Sequence, residues 1–163
     1  RSSTEIMQLL VNSGACLNSV SGDRKNALHW AASEGKPEAV EFLISKCMDI
    51  EKTCRNGRNP LVLAAEFGHT DCAKILLQHG AKLDVRSGNG GTPLMWSATN
   101  DHLETVKLWL EHGVDIDATD HHGLSALAAA AAHGNVESLE ILLDYGLDIE
   151  AQTEKGYSAL ACA

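Results

Sequence analysis

The chain repeats its pattern of apolar and polar positions every 33 residues. Leucine stands at Leu28, Leu61, Leu94, Leu127 and Leu160. Small residues follow the first four, as Ala31-Ala32, Ala64-Ala65, Ser97-Ala98 and Ala130-Ala131. An acid recurs at Glu5, Glu38, Asp71, Glu104 and Glu137, and an apolar pair at Leu10-Val11, Leu43-Ile44, Leu76-Leu77, Trp109-Leu110 and Leu142-Leu143. No insertion breaks the register. Within one period, residues 59–67 are short, apolar and alanine-rich, which predicts a thin helix packed closely on its neighbours. Residues 70–79 place Cys72, Ala73, Leu76 and Leu77 on a stripe of helical spacing behind an acid in the first turn, which predicts a second, amphipathic helix. Gly80 marks its exit, and residues 81–91 predict an extended, hairpin-like connector. Most glycines share these turn registers. Gly88-Asn89-Gly90-Gly91 is therefore turn chemistry and not a phosphate loop, since no Lys-Ser/Thr follows it.

Thr92-Pro93-Leu94, Asn59-Pro60-Leu61-Val62-Leu63-Ala64-Ala65 and Ala27-Leu28-His29-Trp30-Ala31-Ala32 resemble the T-P-L-H-x-A signature of ankyrin repeats. Gly80-Ala81-Lys82-Leu83-Asp84 and Gly113-Val114-Asp115-Ile116-Asp117 look like that family's Gly-Ala-Asp-Val-Asn segment. The resemblance covers the whole chain. It implies an all-α repeat solenoid in which each unit is a β-hairpin or turn plus two antiparallel helices. The expected layout is a single domain, 1–163, with a partial repeat over 1–20, full repeats over 21–53, 54–86, 87–119 and 120–152, and a partial repeat over 153–163. Arrays normally end in polar caps, so the apolar run Ser158–Ala163 marks the chain as an expected fragment of a longer array. Stacking should bury Leu28, Leu61, Leu94 and Leu127, with Trp30, Trp96 and Trp109 as packing residues. Arg24, Cys47 and Asp101 occupy registers held elsewhere by glycine. A positive φ is expected there, at a cost of about 1 kcal/mol each, which makes 21–53 the softest full repeat.

Composition narrows the function. The formal net charge of −9 argues against a dominant role on nucleic acid or anionic membranes. No apolar run is long enough to span a bilayer, and the opening residues lack the pattern of a signal peptide. The five cysteines are scattered and odd in number, as expected of reduced thiols in the cytoplasm or nucleus. No catalytic motif is present, and Cys72 reads as a small core residue, so neither enzymatic activity nor a cofactor is expected. His121, His122 and His133 do not read as a metal site, because adjacent extended residues diverge and no cysteine completes a set.

The expected function is a protein–protein interaction module; the alternative is a structural spacer within a larger protein. The resemblance implies that hairpin tips and the exposed side of each first helix line a concave groove. Carried over by register, the candidate contact residues are Asp23, Lys25 and Glu34; Arg55, Asn56, Arg58, Glu66 and Phe67; Arg86, Asn89 and Asn100; His121, His122, Leu124 and His133; and Tyr157, with Glu154 beside it. Arg24, Arg55, Arg58 and Arg86 all lie in hairpins, whereas most acids lie on second helices or the segments leaving them. Arginine forks suit carboxylates and phosphates, and Phe67 offers an apolar anchor. The expected partner is thus another protein, with an acidic or phosphorylated segment docked near Arg55, Arg58, Phe67 and Arg86 of a monomer.

Overall fold

A computed structural model describes residues 3–153 and 155–163. Among them run α1 (Ser3–Asn12), α2 (Ala27–Ser33), α3 (Pro37–Ser45), α4 (Pro60–Glu66), α5 (Thr70–Gln78), α6 (Pro93–Thr99), α7 (Leu103–Glu111), α8 (Ala126–His133), α9 (Val136–Asp144) and α10 (Ala159–Cys162). Each short first helix begins at a polar cap. The side-chain oxygens of Asn26, Asn59, Thr92 and Ser125 accept from the backbone N–H groups of His29, Val62, Met95 and Ala128 at 3.1, 2.9, 3.3 and 3.2 Å. Pro60 and Pro93 fill the first helical position, where a missing N–H has no consequence. The second helices α3, α5, α7 and α9 lack side-chain caps and instead set Glu38, Asp71, Glu104 and Glu137 against their positive ends. They stop at a left-handed residue. At Gly80 (φ 87°), the Gly80 and Ala81 N–H groups close back onto Leu77 O and Leu76 O, each at 3.0 Å.

The connectors are hairpins reduced to their turns. No strand forms among the described residues, and a single bridge pairs Thr119 with Ser125. Cys54 N–H donates to Arg58 O at 2.9 Å and Gly57 N–H to Cys54 O at 3.0 Å, which closes a loop too short to carry a ladder. A backbone bond joins successive tips at three junctions: Arg55 N–H to Asp23 O (2.8 Å), Gly88 N–H to Asn56 O (2.9 Å) and His121 N–H to Asn89 O (3.0 Å).

First helices pack on first helices (α2, α4, α6, α8, α10), and second helices on second helices (α1, α3, α5, α7, α9). Leu28, Leu61, Leu94 and Leu127 are buried at matching places, opposite Leu43, Leu76, Trp109 and Leu142. The core is therefore one continuous strip that no single unit could enclose. Arg24, Cys47 and Asp101 adopt the expected positive φ, at 61°, 59° and 56°. Among the described residues, no helix is long and apolar enough to cross a membrane.

Candidate functional site

The residues of the expected contact surface lie on the hairpin tips and on the first helices. Its most prominent members are aromatic. Trp30, expected as a packing residue, is 47% exposed, whereas Leu63 in the same register is buried. The cause lies at the neighbouring tip. Trp96 folds down over Gly91, where a Cβ would sit 2.9 Å from the indole nitrogen, and its Nε1–H reaches Ser87 Oγ at 3.1 Å. The position equivalent to Gly91 beside Trp30 is Lys25. Its ammonium lies 5.0 Å from the ring centroid, and a side chain there takes away the room a glycine leaves, so the indole stays out in solvent. Phe67 is also 47% exposed; it ends α4 and stacks on His69 with centroids 6.5 Å apart. Trp109 is fully buried, as expected.

The arginines divide into two kinds. Arg58 does not stand free at its tip. Its Nη1 lies 3.2 Å from Glu66 Oε1, with side chains only 21% and 16% exposed, and its guanidinium lies 4.2 Å from the centroid of Trp96 in the next unit. Arg86 donates through Nη1 to Thr119 O at 2.7 Å and Gly90 O at 3.2 Å. Both therefore tie one unit to the next, Arg58 with most of its side chain covered and Arg86 while remaining exposed. Arg55 is exposed and has no ion pair among the described residues.

The remaining candidates are mostly held by their own turns. Asn89 Oδ1 accepts from Ser87 Oγ at 2.6 Å, and Asn100 Nδ2 donates to Trp96 O at 2.9 Å. Asp23 and Asn56 present exposed side chains while their carbonyls make the tip-to-tip bonds. Glu34 is exposed at the end of α2, and Tyr157 is exposed on the last turn. His121 lies against Gly90, the His122 N–H reaches Asp120 Oδ1 at 2.8 Å, and His133 Nδ1 lies 2.9 Å from Ala129 O. Leu124 N–H also donates to Asp120 Oδ1, at 2.9 Å. Glu154 lies outside the described residues. Among the described residues, no group of three His, Cys, Asp or Glu is placed to hold a metal ion.

Among the described residues, two titratable groups are shifted, both chiefly by burial. The Cys72 thiol is pushed up to about 11, first by burial and then by Asp71 and Glu38, so it is a protonated core residue at neutral pH. His29 is pushed below 6.5 by burial, which the nearby backbone of Lys52 and Arg58 only partly opposes. Its Nδ1 lies 2.6 Å from Asn26 Oδ1, and Nε2 makes no hydrogen bond of good geometry. Neither group faces the candidate surface as a reactive centre.

A family model described as ankyrin repeats (three copies) matches residues 1–87 and 81–153. The comparison with curated proteins finds no match.

Proposed function

Because the chain belongs to the ankyrin repeat family, whose members are generally protein–protein interaction modules, we propose that it holds a partner polypeptide against its hairpin tips and first helices. The partner is an acidic or phosphorylated segment, bound by a monomer of the array inside the cell, and no reaction is catalysed. The observation that carries this reading is the pair of half-exposed aromatics, Trp30 and Phe67, together with the half-buried Lys25, whose ammonium lies 5.0 Å from the Trp30 ring, and the exposed Arg55 on the next tip. Aromatics and Arg are the usual anchors of an interface, because they bring large contact area together with a polar handle. The proposed docking centre keeps Arg55 and Phe67, adds Trp30 and Lys25, and assigns Arg58 and Arg86 mainly to ties between units.

The test is affinity capture from cell extract with the wild type and with a Trp30→Ala, Arg55→Glu, Phe67→Ala variant. Loss of an anchor of this kind costs about 2 kcal/mol or more, so specific partners should disappear from the variant while its melting temperature stays close to that of the wild type. An unchanged set of captured proteins would favour the spacer reading instead.

A further inference from the structure

Two Asn-Gly pairs occur in the sequence, Asn56-Gly57 and Asn89-Gly90, in the same register of consecutive hairpin tips. We infer that Asn56 is a site of spontaneous deamidation to isoaspartate, and that Asn89 is protected from the same chemistry by its own turn.

The reaction needs no enzyme. The backbone nitrogen of the following glycine loses its proton and attacks the asparagine side-chain carbonyl carbon. A C–N bond forms, the bond to Nδ2 breaks, and ammonia leaves. Water then opens the five-membered imide at either carbonyl, giving aspartate or, with the main chain rerouted through the side chain, isoaspartate. Glycine permits the attack because no side chain shields its nitrogen.

Both tips hold that nitrogen in the same way. Gly57 N–H donates to Cys54 O at 3.0 Å and Gly90 N–H to Ser87 O at 2.8 Å, so the turn slows both pairs equally. The side chains differ. Asn89 Oδ1 is clamped by Ser87 Oγ at 2.6 Å and lies 3.4 Å from Gly91 N, which turns the amide back over its own loop. Gly90 itself is buried beneath His121, which restricts the water that must open the imide. Asn56 has an exposed side chain with no such clamp, because the residue matching Ser87 in its turn is Cys54, and Gly57 is only partly covered.

The product should be disruptive. Isoaspartate inserts a methylene into the main chain where Gly57 already approaches Gly88 so closely that even a Cβ would lie 2.5 Å from Gly88 N. The bond from Gly88 N–H to Asn56 O would be lost, and a new carboxylate would stand beside Arg55 on the rim.

The experiment is incubation of the folded 163-residue protein at mildly alkaline pH, with peptide mapping for amide-to-acid conversion and isoaspartyl methyl transfer as a second readout. Asn56 should convert several-fold faster than Asn89, with faster exchange of the Gly88 amide in the converted fraction. Ser87→Ala should bring Asn89 up towards the rate of Asn56, while Asn56→Gln should abolish conversion at that tip. Equal rates at the two tips in the wild type would overturn the inference. So would conversion of Asn56 in the denatured chain but not in the folded one.

Discussion

Arg58 and Arg55 are three residues apart on one hairpin, yet the structure gives them opposite work. Arg58 lies between Glu66 and the face of Trp96, with most of its side chain out of solvent. Removing it leaves a largely covered carboxylate without its partner and uncovers an indole. Arg58→Ala should therefore cost about 1–3 kcal/mol, less than for a fully buried pair because both groups retain some water. Arg55→Ala should change stability by less than about 0.5 kcal/mol, as expected for an exposed side chain without such a role. Urea unfolding of the two variants checks the contrast, and equal losses would remove the distinction between inter-unit tie and free tip. From sequence the two arginines look alike, because both are tip residues of one repeat. What separates them is Trp96, 38 residues beyond Arg58, and the space left by Gly91. The same pairing of Gly91 with Trp96, against Lys25 with Trp30, explains why register alone misplaced Trp30. Periodicity locates a side chain on a helix but does not say whether its neighbour leaves room for it.

At the level of elements, the sequence was far more legible. Helix starts, left-handed exits and the buried leucines all follow from the 33-residue period, because caps, turns and core positions are local and repeated. The junctions between units were less visible, since each depends on two residues one period apart. Gly68 lies so close to His102 that a Cβ would meet Nδ1 at 2.5 Å, and His102 Nε2 lies 3.0 Å from Glu66 O. One junction later the glycine register carries Asp101, and the facing residue is Asn135 instead of histidine. Asn135 Nδ2 donates to Ala98 O and Thr99 O at 2.8 Å, while Asp101 Oδ1 accepts from Ser138 Oγ at 2.7 Å. The two changes compensate: a shorter side chain at 135 makes room for the one added at 101. Asn135→His alone should then overpack the junction, at a cost of about 1–3 kcal/mol. Adding Asp101→Gly should restore the arrangement found between Gly68 and His102 and recover much of that loss. A double-mutant cycle measures the coupling, and strict additivity would show that the residues do not share this space.

Across the whole molecule, stability in a linear stack is a sum over units and the interfaces between them, so strain at one place is felt mainly there and next door. Among the described residues three non-glycines are left-handed; two of them, Arg24 and Cys47, flank α2 and α3, and among those residues neither side chain finds a hydrogen bond of the kind Asp101 makes with Ser138. The neighbour on one side is α1, which leaves Ile6, Leu9 and Leu10 half exposed and so covers α3 incompletely. α6 and α7 are flanked on both sides by complete helix pairs. Charge acts in the opposite direction. Residues 1–86 hold 11 Lys and Arg against 10 Asp and Glu, whereas residues 87–163 hold 2 against 12, so the net −9 comes entirely from the second half. Self-repulsion should weaken that half at low ionic strength and fade once the Debye length falls to about 8 Å in physiological salt. In such salt, native-state hydrogen exchange should show the core amides of α2 and α3 less protected than those of α6 and α7, and the gap should narrow as salt is removed. Arg24→Gly and Cys47→Gly should each raise the protection of α2 and α3 by up to about 1 kcal/mol by relieving the left-handed strain. Uniform protection along the array, unaffected by either glycine, would mean that the stack opens as one cooperative body and that local strain is shared over its full length.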